Sequence, residues 1–324
     1  MDWVRRPSFT LFELNEREYS WRGLFLLAYV YLGSLLFAAV VAPWVYFMVQ
    51  SWAQAYPNEL NTYLSGKAFD DYFDRLRYVP ILLGLPWILR VCRLWSLQAL
   101  VVDVDEDAFA RFIKMFMGGL LLVGGIALVQ IKLLPVAIKA DVSLLKIVSF
   151  SLVGALLVAL IEEIVFRGLI VRLFYTALNP FPAVVWSALF FAYVHFKMPS
   201  AVWHSTDKIV TWKSGFFVGF WTLIGITQDF QWLAFTNLFL LGCLLAFLFL
   251  RTRSLLPCIG FHAGIVWVML VYKKLFFVPE SFLWGGSKLI DGLLTLGLLL
   301  LLNLYLVCRS RYHVPRSSSP RKIV

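Results

Sequence analysis

The chain alternates long uncharged stretches with short charged ones. Residues 23–58 contain no Asp, Glu, Lys or Arg. A helix needs roughly 20 mainly apolar residues to cross a hydrocarbon core of about 30 Å, so residues 24–49 predict a full span, with Pro43 as its expected kink. A polar loop rich in acids and aromatics occupies 56–78. Next is a weaker apolar segment, 79–100, interrupted by Pro80, Pro86, Arg90 and Arg93. Residues 103–114 begin with acids, end with bases and place Phe109, Phe112 and Ile113 along one side, which predicts a short interfacial helix oriented to suit its own dipole. Further spans are expected at 115–134, 147–166, 183–196, 214–228, 232–250, 255–272 and 289–308. The expected fold is an all-α polytopic transmembrane helix bundle of about eight to nine spans. With no internal repeat and no Gly/Ser linker, residues 1–324 read as a single integral membrane domain.

Composition agrees. Hydrophobic residues make up 61% and charged residues 15% of the 324 positions, against about 45–50% and roughly 25% in soluble domains. This excludes a soluble globular enzyme, a disordered chain and a nucleic-acid module. The net charge of +10 sits between apolar runs, which suits loops on an anionic bilayer surface and gives no reason to expect nucleic acid. Residues 309–324 hold five bases and no acid, so the positive-inside rule makes them a basic cytoplasmic tail and places the Arg251/Arg253 turn and the 197–213 loop on the same side. Residues 1–22 balance four bases against four acids without a short apolar core, so the first apolar run is expected to be a retained span and not a cleaved signal. Cys92, Cys243, Cys258 and Cys308 lie in or beside apolar segments without metal-ligand spacing and read as small hydrophobes.

The informative residues are those a membrane tolerates poorly. Glu162, Glu163 and Arg167 come after fifteen uncharged residues, 147–161, where an ionisable side chain at a helix centre costs roughly 2.5–3.5 kcal/mol. Glu163 and Arg167 are four apart, with the acid N-terminal to the base, the better order for an ion pair. Glu162 is turned about 100° away and needs another partner. Two of the four histidines have strongly apolar surroundings, His195 at the end of one run and His262 near the start of a later one. His204, in a polar loop, and His313, in the tail, are weaker candidates. Two carboxylates, a guanidinium and two imidazoles on apolar segments point to a shared internal site.

Carboxylate and imidazole without an evident nucleophile suit water activation, with the glutamate taking a proton and a histidine stabilising an oxyanion. Glu162, His195 and His262 are also donors that zinc accepts. A His-Glu-x-x-His helix, a Gly-x-Ser-Gly nucleophile and a Gly-x-Gly-Asp pair are all absent from the sequence.

These residues resemble the CAAX prenyl protease and bacteriocin-processing (CPBP or Abi) family, the type II CAAX endopeptidases. Its Glu-Glu-x-x-x-Arg motif matches Glu162, Glu163 and Arg167, and its Phe-x-x-x-His matches Phe191 and His195. Its His-x-x-x-Asn matches at His262 alone, because Val266 stands at the Asn position. The resemblance covers about residues 145–275. It implies that Glu162 and His195 activate water, that Glu163 and Arg167 hold the site in shape, and that His262 helps stabilise the oxyanion. No cofactor is expected, in a metal-free glutamate mechanism, with zinc on Glu162, His195 and His262 as the alternative. Val266 removes one oxyanion donor, a loss worth about 10²–10³ in rate, unless Trp267 or Asn237 supplies another.

The expected activity is that of an intramembrane endopeptidase acting on a peptide or protein substrate at the membrane surface, in a bacterial inner membrane. The rival reading is a non-catalytic binding or scaffold protein that retains the protease fold. Neither the oligomeric state nor the identity of the substrate is legible in the sequence.

Overall fold

The computed structural model describes residues 17–92, 105–139, 143–178, 180–195, 209–225 and 230–311, together with 94, 95, 100 and 102. The expectations for the N-terminal 16 residues, for His204, for His313 and for most of the basic tail lie outside them. The described residues are overwhelmingly helical and fall into two compact units. One comprises 1–100 and 168–235, the other 101–167 and 236–324.

In the first unit, α1 (Arg17–Ala55) runs as one helix through Pro43, which an intramembrane helix tolerates when neighbours satisfy the freed carbonyl. After it come α2 (Glu59–Ser65) and α3 (Phe69–Val91). Leu35, Ala38, Ala39 and Ala42 recur at helical spacing on α1 and pack on Phe69 and Phe73 of α3 and Val218 of a later helix. Helix α3 starts ten residues before the apolar segment read from the sequence, because Phe69, Tyr72 and Phe73 already give it a buried face. Both Pro80 and Pro86 lie inside it.

The second unit opens with α4 (Ala108–Leu133). The separate interfacial helix expected at 103–114 is not formed. Its residues from Ala108 onward are the first turns of α4, since no Pro or polar break interrupts the chain around Lys114. Helix α5 (Leu144–Glu163) passes into a π-helical stretch, Ile164–Ile170, and then α6 (Val171–Ala177). The chain crosses from the second unit to the first between Arg167 and Gly168. The first unit also holds α7 (Pro180–His195) and α8 (Ser214–Ile224). Helix α9 (Trp232–Thr252) leads back to the second unit, which ends with α10 (Leu255–Leu275) and α11 (Leu293–Arg311). The two-residue strands Ala137–Ile138 and Phe276–Phe277 pair antiparallel.

Helix α10 is the centre of the second unit and packs on α4 and α5. The approach is close because the contacting positions are glycines. A Cβ on Gly260 would strike the Phe112 carbonyl, one on Gly264 the Phe116 carbonyl, and one on Gly119 the Phe261 carbonyl. This is small-residue packing of the kind that brings membrane helices into backbone contact.

Among the described residues, five helical stretches are long and apolar enough to cross a membrane: Trp21–Ala55, Ala108–Leu133, Leu144–Ala177, Trp232–Thr252 and Leu255–Leu275. Pro180–His195, Ser214–Ile224 and Leu293–Cys308 are apolar but shorter. Helix α3 carries Asp70, Asp71, Asp74, Arg75, Arg77 and Arg90. The helical membrane architecture is therefore as expected, and five of its helical stretches meet the length and hydropathy of a span among the described residues.

Candidate active site

Four of the five residues singled out in the sequence meet inside the second unit. Glu163, on the last turn of α5, is fully buried. Its Oε1 accepts from Arg167 Nη1 at 3.0 Å and from His262 Nδ1 at 2.7 Å. Its Oε2 is buried with no hydrogen-bond partner among the described residues. One oxygen thus serves both donors. Arg167, 1% exposed, also donates through Nη2 to the Gly242 carbonyl of α9 at 3.3 Å. The ion pair expected from four-residue spacing is present, and it is a buried one with a backbone partner, unlike the weak pairs of a solvated surface.

Glu162 approaches His262 from the other ring nitrogen. Its Oε2 lies 3.8 Å from His262 Nε2, and its side chain is 26% exposed where that of His262 is 4% exposed. The two imidazole nitrogens therefore face different carboxylates. Since a carboxylate only accepts, Nδ1 carries the hydrogen of the Glu163 bond and Nε2 is the atom presented to Glu162.

Adjacent glutamates on a helix point about 100° apart and so meet different partners. The π-helical stretch begins at Ile164, directly after the pair, and contains Arg167. A π-turn adds a residue to the helical repeat and so resets the phase of the residues beyond it, and such turns concentrate at functional sites. On the other side, Gly260 and Gly264 flank His262 on α10, and the close approach to α4 that they permit fixes the height and rotation of the imidazole. The Gly-x-x-x-Gly spacing of 260–264 is legible in the sequence, and it is the signal that matching catalytic motifs passes over. The π-turn has no comparable sequence mark.

His195 ends α7 in the first unit. Its Nδ1 lies 2.6 Å from the Phe191 carbonyl, and its ring packs on that of Phe191 at 4.5 Å between centroids. The two residues of the Phe-x-x-x-His motif are thus in direct contact, one helical turn apart. A carbonyl can only accept, so here too Nδ1 bears the hydrogen and the lone pair of the neutral ring sits on Nε2.

Neither residue considered as a replacement for the Asn at position 266 is available. The Trp267 indole donates to the Val148 carbonyl at 3.1 Å and packs on Phe116. The Asn237 amide donates to the carbonyls of Ile290 and Gly292 at 2.9 and 3.0 Å. Both groups hold structure. Val266 itself is half-buried one turn beyond His262.

Glu162 and His262 Nε2 could supply two donors to a zinc ion, but His262 Nδ1 and Glu163 Oε1 are engaged with each other, and no group of three or more His, Cys, Asp or Glu side chains gathers as a metal-binding set among the described residues.

Carboxylates, a guanidinium and an imidazole buried among apolar helices define an acid–base site inside an integral membrane protein. Residues 144–268, which contain all five candidate residues, match the family model described as Type II CAAX prenyl endopeptidase Rce1-like. The motif resemblance and the family match thus agree over this segment. No curated protein and no solved structure matches the chain.

Proposed function

We propose that the protein hydrolyses a peptide bond near the membrane surface, by a metal-free glutamate mechanism, with Glu162 and His195 activating the water. The observation that carries this reading is the division of labour between the two glutamates. Glu163 is buried and committed to Arg167 and His262, while Glu162 is partly exposed and faces the other imidazole nitrogen.

In this scheme Glu162 takes a proton from water as the oxygen attacks the scissile carbonyl, and returns it to the leaving amine as the carbon–nitrogen bond breaks. His195 shares in orienting the water. Glu163 and Arg167 do not touch the reacting atoms; they fix the His262 ring, which as an imidazolium keeps its Nδ1–H on Glu163 and donates from Nε2–H to the developing oxyanion. The shorter apolar helices and α3 complete a bundle of eight or nine spans in a bacterial inner membrane, with the C-terminus cytoplasmic. The substrate is a peptide or protein held at that surface.

A second reading is favoured by one observation: Val266 offers no donor and Trp267 is otherwise engaged, as a non-catalytic protein that binds a peptide would allow. Cleavage of quenched fluorescent CAAX peptides, farnesylated and unmodified, by purified protein in nanodiscs separates the two. Turnover by the wild type that is lost in Glu162→Ala and His195→Ala supports the protease. Equal turnover in all three sinks the catalytic assignment, and peptide binding without turnover favours the scaffold. Loss of activity on chelation with recovery by zinc would overturn the metal-free mechanism.

A further inference from the structure

The first unit contains a hydrogen-bonded chain that the glutamate–histidine chemistry leaves unused. Tyr31 of α1 pairs through its phenol with Tyr193 of α7, and Tyr193 donates to the Leu223 carbonyl on the last turn of α8 at 2.8 Å. The Tyr31 ring also meets Phe190 edge-on at 5.9 Å. Nearby, Arg77 of α3 is 5% exposed and pairs with Asp74 at 3.2 Å. Three helices are thereby tied to one another at the turn of α7 that ends in His195.

We infer that the Tyr31–Tyr193–Leu223 relay positions His195, making Tyr31 and Tyr193 positioning residues of the reaction. This rests on the reading of His195 as a water-activating group. Residues 193 and 195 are two apart, so on a helix they point about 200° from each other. Tyr193 faces α1 and α8, and His195 is turned to the opposite, exposed side. A helix end lacks the hydrogen bonds that hold its middle and frays first. Pinning α7 from behind at its last turn fixes the rotation of that turn, and with it the direction of His195 Nε2. Without the pin, the ring keeps its bond to Phe191 but swings with the turn that carries both. Misplacing a catalytic group by about 1 Å costs on the order of 10²-fold in rate, so the relay is worth one to two powers of ten even though no member touches the substrate.

Tyr193→Phe and Tyr31→Phe test this, since each keeps the ring and removes only the hydroxyl. With the farnesylated CAAX peptide in nanodiscs, kcat falls by about tenfold or more in Tyr193→Phe while KM and the thermal midpoint stay at wild-type values. The double variant is no slower than Tyr193→Phe alone, because the two hydroxyls form one chain. A second readout does not depend on turnover: the rate at which diethyl pyrocarbonate modifies His195, mapped by mass spectrometry, changes in both variants while the other histidines react as in the wild type. Wild-type kcat together with an unchanged His195 modification rate overturns the inference. Wild-type turnover in His195→Ala instead removes the underlying reading of His195, whatever the labelling shows.

Discussion

Glu163 Oε1 lies 2.7 Å from His262 Nδ1, although the two residues are 99 positions apart in the chain. That contact joins the first and third motifs and converts a short-range ion pair on α5 into a three-residue centre. It also assigns the two glutamates different duties, which their adjacency conceals.

Removing the charge at Glu163 leaves Arg167 buried without its carboxylate. Breaking one partner of a buried pair costs about 3–5 kcal/mol, so Glu163→Gln lowers stability by that order and activity along with it. The pair Glu163→Leu with Arg167→Met is expected to be less destabilised than Glu163→Leu alone. Thermal unfolding in a fixed detergent measures both, and additive losses would argue against a coupled pair.

Glu162→Gln has the opposite profile. The side chain is partly exposed and its Oε2 lies 3.8 Å from His262 Nε2, so stability stays within about 0.5 kcal/mol of wild type. Turnover falls by about 10²–10⁴. Comparing thermal midpoints with kcat for the Glu162 and Glu163 variants separates the two residues.

Val266→Asn restores the donor that the related motif carries, one turn beyond His262 on the same face of α10. An added oxyanion donor is worth up to about 10²–10³ in rate, so kcat rises, whereas the binding of uncleaved peptide changes little. A substitution that leaves kcat where it was would mean that the oxyanion is held elsewhere.

Gly264→Ala forces a methyl group against the Phe116 carbonyl. Backbone cannot yield as a side-chain end does, and overpacking of this kind costs about 1–3 kcal/mol or more. The imidazole one half-turn away shifts with α10, so kcat falls too. Gly297→Ala, with open space around its Cβ position, is the control. Equal unfolding midpoints for the two variants would contradict the close packing of α10 on α4.

Asn237→Ala removes the two hydrogen bonds that hold the segment around Ile290 and Gly292. Two lost bonds amount to roughly 1–3 kcal/mol, and hydrogen exchange over 286–292 accelerates. Turnover per folded molecule is unchanged, because Asn237 faces backbone carbonyls and not the reaction. A large loss of kcat would make Asn237 an oxyanion donor after all.

Membrane character, the positions of the main apolar runs and the identity of the candidate residues are all determined by the sequence. An uncharged run must be a helix in lipid, since every backbone group has to be satisfied within it, and an ionisable residue in such a run stands out by its cost alone. The Glu163–Arg167 pair is equally local, because four-residue spacing alone puts both side chains on one helix face. The tertiary structure decided the rest. Only folding shows that the second nitrogen of His262 faces Glu162, that Trp267 and Asn237 are committed to carbonyls from other segments, and that the 103–114 stretch belongs to a longer helix. The partners in the long-range contacts lie between 53 and 119 residues apart. Helical periodicity relates only positions a few residues apart, and an apolar pattern specifies that a face is buried without specifying against what. The close approach of α10 to α4, made possible by three glycines, is what turns apolar helices into a site.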